Sequence, residues 1–484
     1  MTYRTMKRGA VVLTLGLLYP GLTAVAQEGK VPITASDEAV ELYLQGRDLA
    51  EKLRGTDARE YFQQAVAADD DFALGYWALS LNSATTGEFF ENYNMAVQKV
   101  DMASEGERNI ILALDAAVKG DPATQEEHLM ALVAAYPDDE RVQNLVGNYY
   151  NGRQNYEKAI AHWQKAIAIN PDYSPPYNSA GYAFRAVGQY DAAEKSFKKY
   201  IVLLPDDPNP YDSYAELLMK LGRYEESIEQ FKMALERDPN FIISYRGIGA
   251  NQIFMGDPAM ARETFAKMGE TARTDGERRT ALTWKAASYV YEGETDMAIA
   301  ALEERYAIVE AKQDAAAMAG DHVFMGTVLL EGGETMGAMS QYDRSIEVIN
   351  EAEVPPEVKV NAARNHHYFQ ARVALKDGNV GEAKLHTEAY ATLVKEHEIP
   401  FEMRRVHELL GTIAIAEESW DDAVAHLEQA NQQNPRILYL TALAYLGAGD
   451  EYAGTAMMEK AANYNGLNFN YAYVRGKAKA ALEE

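Results

Sequence analysis

Residues 407–411 begin like the zinc-binding helix of a metalloprotease, because His407 is followed directly by Glu408. Such a helix needs a second histidine four residues after the first, so that both imidazoles reach one metal ion from the same helix face. Gly411 stands at that position. The segment therefore predicts no zinc centre, and we interpret Gly411 as a small residue at a close contact between helices.

His366 and His367 form the other histidine cluster of the sequence. Side chains of adjacent residues on a helix point about 100° apart, so these two cannot hold one ion from a single helix face. His322, His386 and His407 lie on other predicted helices, and their spacing does not bring them together. The chain has no cysteine, which excludes thiolate metal sites and disulfides. We predict no metal site and no cofactor.

Gly247 and Gly249 supply two glycines of a dinucleotide-binding fingerprint, but no strand precedes them and the third glycine is missing. A phosphate-binding loop with its lysine is also absent from the sequence. The chain has 73 aspartates and glutamates, so a pair of neighbouring carboxylates would indicate nothing specific. Because no nucleophile is recognisable beside a base, an enzyme is the least favoured class, and we predict no catalytic residues.

A period of 34 residues organises the middle of the chain. Proline, glycine and tyrosine each recur at this interval, at Pro137, Pro171, Pro205 and Pro239, at Gly188, Gly222 and Gly256, and at Tyr156, Tyr190 and Tyr224. A fixed period of this length indicates a repeat architecture.

Each copy of the repeat is predicted to be two helices joined by a turn. Glycine at the turn can take the left-handed conformation that ends the first helix. Proline ends the copy, because it cannot continue a helix. Gly147 and Ala159 are small residues where the two helices must approach closely, and Trp163 fills the space beside them.

This pattern closely resembles the tetratricopeptide repeat, a helix pair of the same length with a small residue, aromatics, alanine and a closing proline. The resemblance implies an all-α fold, a right-handed α-solenoid of about eleven or twelve helix hairpins. It also implies a noncatalytic protein that binds protein or peptide partners on the concave face of the solenoid. Strand signals are absent from the sequence.

We expect four segments along the chain. Residues 1–26 are a signal peptide, residues 27–36 a flexible lead-in, and residues 37–270 the regular superhelix. Residues 271–484 hold degenerate repeats and a C-terminal capping helix, whose charged end suits the polar cap that a solenoid needs. The alternative to a division near residue 271 is one continuous solenoid with a longer loop.

The first 26 residues have the layout of a secretory signal peptide. Three basic residues precede an apolar run at 10–18, and small residues at 24–26 suit cleavage between Ala26 and Gln27. An exported protein is therefore expected, periplasmic or secreted, without stable membrane insertion after cleavage. The alternative is an uncleaved membrane anchor, for which the apolar run is short and is followed by Pro20.

The net charge of −27 restricts the partners. A surface this acidic repels nucleic acid and anionic lipid, so neither is expected to bind. The remaining partner class is protein or peptide, and the sequence leaves self-association open.

The resemblance places the first helix of each pair on the concave face, where residues between the packing positions point inward. Asparagine offers both a donor and an acceptor, which suits the backbone of an extended peptide, and some members of the family hold peptides in this way. The alternative is a solvated helix face. The predicted peptide-binding set is Asn144, Asn148, Asn178, Tyr182, Arg185 and Arg246.

These features favour a noncatalytic scaffold in the cell envelope that captures a protein or peptide of unknown identity in its groove. The alternative hypothesis is an accessory factor of an envelope assembly or polysaccharide-export machine.

Overall fold

The computed structural model describes residues 29–396 and 400–483, and every regular element within these ranges is a helix. The predicted signal peptide and its cleavage point lie outside the described residues. The chain divides into two compact units, one ending at Val187 and the other beginning at Gly188. The all-α repeat fold predicted from the sequence is confirmed.

Within its described residues, the first unit contains four consecutive hairpins and one further helix. They are α1 (Asp37–Glu51) with α2 (Gly55–Ala68), α3 (Ala73–Leu81) with α4 (Thr86–Gln98), α5 (Glu105–Val118) with α6 (Pro122–Ala135), α7 (Glu140–Gly152) with α8 (Tyr156–Ile169), and α9 (Pro175–Ala186). A short 3₁₀ helix, Val100–Met102, follows α4.

The second unit begins with α10 (Tyr190–Leu203), continues with seven hairpins and ends with α25 (Tyr471–Glu483). The hairpins are α11 (Pro208–Lys220) with α12 (Tyr224–Arg237), α13 (Ile243–Phe254) with α14 (Pro258–Thr271), α15 (Asp275–Glu292) with α16 (Thr295–Glu310), α17 (Ala315–Gly332) with α18 (Thr335–Glu351), α19 (Pro356–Lys376) with α20 (Val380–Glu396), α21 (Pro400–Ala416) with α22 (Trp420–Leu427), and α23 (Pro435–Gly447) with α24 (Glu451–Ala462). The two units thus hold eleven hairpins in the part of the chain that the structure describes.

In several hairpins a small residue of one helix faces a large residue of the other. Gly147 of α7 lies so close to Trp163 of α8 that a Cβ atom at Gly147 would be 2.5 Å from the indole nitrogen. Gly411 has the same relation to Leu427, since its Cβ would lie 2.6 Å from the Cγ atom of that leucine. The interpretation of Gly411 as a packing residue is therefore confirmed.

The turns between paired helices use the left-handed backbone that the sequence predicted. Gly222 and Gly256 follow α11 and α13 with φ angles of +75° and +90°, a region that residues with a side chain rarely adopt. Asp257 then caps α14 by accepting a hydrogen bond from the backbone N–H of Met260. These local signals set the 34-residue period.

The predicted division near residue 271 falls inside the second unit, between α14 and α15, which pack against each other. Thr274 begins α15 with a capping box to Glu277, so the polar residues at this point serve as the start of a helix. A domain boundary there stays a prediction.

Candidate partner-binding surfaces

In the first unit, five of the six predicted peptide-binding residues lie on two helices that contact each other, α7 and α9. Asn144 and Asn148 are one turn apart on α7. Asn178, Tyr182 and Arg185 follow one another at turn spacing on α9. The structure therefore brings these five residues to neighbouring first-helix positions of consecutive repeats.

The three asparagines differ in their exposure to solvent. Asn148 is exposed, whereas Asn144 and Asn178 are half-buried. The side-chain oxygen Oδ1 of each half-buried asparagine is buried and has no hydrogen-bond partner among the described residues. An unbonded buried acceptor is costly, typically about 1–3 kcal/mol. Two equivalent asparagines thus carry unused hydrogen-bonding capacity on adjoining helices.

Tyr182 and Arg185 are already engaged with each other. The Arg185 guanidinium carbon lies 4.7 Å from the centre of the Tyr182 ring, within the range of a cation–π contact. Both side chains are half-buried. A ligand at this position would meet one composite surface formed by the tyrosine and the arginine.

The sequence analysis missed Arg141, which lies on α7 one turn before Asn144. Its Nε atom donates a 2.7 Å hydrogen bond to Glu51 of α1, and its guanidinium lies 5.0 Å from the centre of the Tyr173 ring. Tyr173 is buried, and this burial raises the pKa of its hydroxyl group. The helical spacing from Asn144 could have indicated Arg141, but its partner lies 90 residues away along the chain.

The described part of the predicted flexible lead-in, residues 29–36, is held in place by acidic side chains near the starts of three first helices. The Lys30 ammonium forms an ion pair with Glu140. Three backbone N–H groups donate to carboxylates: Val31 to Asp139 at 2.9 Å, Thr34 to Glu107 at 2.9 Å and Ser36 to Asp69 at 2.7 Å.

In the second unit, the predicted residue Arg246 lies on α13. Its Nη2 atom is 3.9 Å from the carboxylate of Glu216, and its guanidinium is 5.9 Å from the centre of the Trp284 ring. Its Nε atom is buried and has no hydrogen-bond partner among the described residues. Trp284 is itself covered by the C-terminal helix, so Arg246 borders a surface that the chain already occupies.

The charged end of that C-terminal helix, α25, was expected to suit a polar cap, and this stays a prediction. The beginning of α25 is buried. Its Tyr471 ring packs against Phe254 of α13, with ring centres 4.9 Å apart, and stacks on Trp284 of α15 at 6.4 Å. Tyr473 joins the hydrophobic cluster of Met325 on α17. Since these aromatic side chains need burial, α25 lies across three successive first helices, and only its last residues are exposed.

Arg475 fixes α25 at this position. Only 1% of the residue is exposed. Its Nη1 atom donates 3.0 Å hydrogen bonds to the backbone oxygen of Tyr464 and to Oδ1 of Asn465, and its guanidinium lies 4.4 Å from the Phe254 ring centre. These partners replace part of the water that the buried guanidinium loses, and its Nε atom has no hydrogen-bond partner among the described residues.

A network of ion pairs joins the first helices α17, α19, α21 and α23. Arg372 donates a 2.7 Å hydrogen bond to Glu331, Arg436 lies 3.5 Å from the same carboxylate, and Arg436 is also paired with Glu408. Tyr368 donates to Glu408 at 2.8 Å. Burial opposes the charged form of Glu331, but Arg436 and Arg372 together lower the pKa of its carboxyl group. These first helices therefore satisfy their charges within the unit.

Asp212, on α11, is a buried carboxyl group that accepts a 2.7 Å hydrogen bond from the Ser244 hydroxyl. Burial raises its pKa to about 7, and the nearby charge of Glu216 adds to the shift. The charge of Arg246 acts in the opposite direction, and Asp212 makes the stability of the second unit depend on pH.

Comparisons with known proteins agree with the repeat pattern. The tetratricopeptide repeat family model matches residues 178–240. Among solved structures, a tetratricopeptide repeat protein from Parabacteroides merdae is 16% identical, with a TM-score of 0.39, and the match covers 54% of this chain and 98% of that one. MamA from Desulfovibrio magneticus is 18% identical, with a TM-score of 0.32 and coverage of 35% and 96%. YrrB, described as having an unusual peptide-binding site, is 18% identical, with a TM-score of 0.28 and coverage of 37% and 91%.

No curated protein matches the chain in sequence. In the described part of the chain, every helix is too short or too polar to cross a membrane.

Proposed function

We propose that this chain, which is a tetratricopeptide repeat protein, acts as a noncatalytic scaffold that captures an extended segment of a protein partner on the first-helix surface of its first unit. This surface is formed by Asn144 and Asn148 of α7 and by Asn178, Tyr182 and Arg185 of α9. The observation that carries the proposal is the pair of buried, unbonded Oδ1 atoms at Asn144 and Asn178.

A peptide backbone matches the needs of these two side chains. An extended peptide presents N–H donors at regular intervals, and an asparagine can accept from one residue while donating to the carbonyl of another. A small movement of each amide group on binding would expose Oδ1 to such a donor. Because backbone groups are common to all sequences, the asparagines would provide affinity, while Tyr182 and Arg185 would select an aromatic or acidic side chain.

The second unit is a weaker candidate for the same role. Its α25 covers the first helices α13, α15 and α17, and the ion-pair network of Glu331 and Arg436 joins α17 to α23. A peptide would have to displace buried aromatic side chains or an arranged set of charges. Both displacements cost several kcal/mol.

The partner is to be identified by crosslinking in the native compartment followed by mass spectrometry, and capture is then measured with purified protein. Replacing Asn148 and Asn178 by alanine should weaken capture at least tenfold. The matched control is Gln164→Ala, which removes an exposed amide from the second helix α8. Equal capture by the double variant and the control would contradict the proposed surface.

We also propose that the protein acts in the cell envelope after export. The basis is the order of basic, apolar and small residues before Gln27, together with a chain that contains no cysteine. N-terminal sequencing of protein from the periplasmic or secreted fraction should give Gln27 as the first residue. Recovery of the chain only in the cytoplasm, with Met1 retained, would contradict export.

A further inference from the structure

Five hairpins carry a polar contact between their two helices at the same offset of 19 residues. In each contact, the Nδ1 atom of a histidine meets a side-chain oxygen or a second histidine. The contacts are Asn109–His128 at 2.9 Å, Gln143–His162 at 2.8 Å, His322–Gln341 at 2.7 Å, His367–His386 at 3.1 Å and His407–His426 at 3.1 Å.

The first three contacts show what the hairpin requires at this place. One imidazole donates its Nδ1–H to an amide oxygen, so a single histidine is sufficient to join the helices. In the last two contacts, a second imidazole replaces the amide. Only one of the two facing Nδ1 atoms can hold a proton in the neutral pair, and the other presents its lone pair. The second histidine is therefore not needed to join the two helices.

We propose that His367 with His386, and His407 with His426, are two chelating sites for divalent transition metal ions that favour imidazole, namely Zn²⁺, Ni²⁺ or Cu²⁺. The ion binds to both Nδ1 atoms of a pair. It takes the place of the proton that lies between them, and this proton moves through solvent to the Nε2 atom of the same imidazole, so that both rings bind the ion in the neutral form. Water fills the remaining coordination positions.

The distance between the nitrogens suits this role. With metal–nitrogen bonds of about 2.0–2.1 Å, two ligands of one ion are about 2.9 Å apart in square-planar geometry and about 3.3 Å apart in tetrahedral geometry. The observed 3.1 Å in both pairs lies between these values. Each ring must turn so that its lone pair points at the ion and no longer at the facing nitrogen.

The surroundings of the two histidine pairs are consistent with metal ions that are weakly bound and accessible to solvent. All four histidines are half-buried, which leaves room for water ligands. Burial lowers the pKa values of His367 and His407, which favours the neutral imidazole that binds metal. The Nε2 atom of His386 is 3.9 Å from the carboxylate of Glu382, which is beyond hydrogen-bond distance but close enough for electrostatic attraction.

Two features limit the number of protein ligands. His366, the neighbour of His367, directs its Nε2 atom at Asp343, 3.3 Å away on α18, and is therefore engaged elsewhere. Among the described residues, no group of three or more histidine, aspartate and glutamate side chains is placed to hold one ion. Each proposed site consequently has two protein ligands, both from one hairpin.

The test is a titration of the untagged, chelator-treated full chain with Zn²⁺, Ni²⁺ and Cu²⁺, with bound metal counted after equilibrium dialysis. We expect two ions of at least one of these metals per chain. The variants His386→Gln and His426→Gln should each bind one ion, and the double variant none. Glutamine is the appropriate replacement, because Gln341 and Gln143 already serve as partners of histidine at equivalent places.

The matched control is His162→Gln, which removes a half-buried histidine that has no histidine partner and should leave the stoichiometry unchanged. Fewer than two ions on the unaltered chain would overturn the proposal, as would full binding by the double variant. A loss of binding in His162→Gln would also overturn it, because binding would then follow the number of histidines. The stoichiometry of the unaltered chain decides the matter even if a variant fails to fold.

Discussion

The Tyr224 hydroxyl of α12 donates a 2.8 Å hydrogen bond to Oδ1 of Asn465, although the two residues are 241 positions apart. Asn465 belongs to the segment that leads into α25, and Arg475 of α25 donates to both residues, at 3.0 Å to Asn465 and at 3.2 Å to the Tyr224 oxygen. This small network ties the end of the second unit to one of its first hairpins.

Replacing Arg475 by alanine should therefore destabilise the second unit. The substitution removes one of the two donors to Asn465, the donor to the Tyr464 carbonyl group and the contact of the guanidinium with Phe254, which together cost about 2–4 kcal/mol. Urea unfolding followed by circular dichroism should show a lower midpoint for the transition that contains α25. The control is Lys477→Ala on the exposed side of the same helix, expected to change stability by less than about 0.5 kcal/mol. Equal midpoints for the two variants would show that the network contributes nothing.

Replacing Asn144 and Asn178 by alanine should leave stability nearly unchanged in the absence of a partner. Their Oδ1 atoms are buried and make no hydrogen bond, so removing them relieves a cost that offsets the packing lost with the side chains. Asn251→Ala is the contrasting variant, because that buried amide donates to Ser227 at 2.9 Å and to the Gly247 carbonyl at 3.0 Å. It should cost about 1–3 kcal/mol, measured by thermal unfolding. A large loss in the double variant would mean that the asparagines are structural.

Gly249→Ala should destabilise the hairpin of α13 and α14. The added Cβ atom would lie 2.3 Å from Cε1 of Phe265, a fully enclosed ring that has no room to move. Overpacking of this kind costs about 1–3 kcal/mol. Gly320→Ala is the matched control, because this exposed helical glycine has no atom within 4 Å of its Cβ position. The control should gain roughly 0.5–1 kcal/mol from helix propensity, and both changes are measured by urea unfolding. A stabilised Gly249→Ala would refute the packing account.

Asp212 should make the second unit less stable as pH rises from about 4 to about 7. Its folded pKa of about 7 exceeds the ordinary value of 3.8. Between these values the unfolded chain releases the proton while the folded chain keeps it. The free energy of unfolding therefore falls with pH, by at most about 1.4 kcal/mol per pH unit, and the contribution is complete only below the ordinary pKa.

The test compares Asp212→Asn with the unaltered chain by urea unfolding at several pH values. The free energy of unfolding of Asp212→Asn, relative to that of the unaltered chain, should rise between about pH 4 and about pH 7 and then level off. Asp206→Asn, at an exposed turn residue, should not alter the pH dependence. A constant difference between Asp212→Asn and the unaltered chain would show that Asp212 titrates as an ordinary carboxyl group.

Local spacing explains why the hairpins were predictable and the packing of α25 was not. The contact of Gly147 with Trp163 follows from a fixed offset within one repeat, so the sequence alone indicates which residues touch. The contact of Tyr471 with Trp284 joins residues far apart in different repeats. An aromatic residue in a helix indicates burial, but nothing in its spacing identifies the surface that buries it.

The histidine pairs lie between these two cases. His367 and His386 share the 19-residue offset of Gln143 and His162, and this offset is set by the hairpin geometry alone. Comparison of equivalent positions across repeats would have found the pairs. Histidines on other helices were considered from the sequence, but equivalent positions of different repeats were not compared, so His386 was left apart from His367.

The long-range hydrogen bonds give each unit a mechanical property that a row of hairpins lacks. When helices contact only their neighbours, each repeat can unfold independently of distant repeats, and the array can extend gradually under force. In the first unit, Val31 is bonded to Asp139, and in the second, Arg475 is bonded to Tyr224. Pulling the enclosed repeats apart must break these links first. Each unit accordingly has hydrogen bonds between repeats that are not neighbours, and these bonds couple the opening of one repeat to the opening of others.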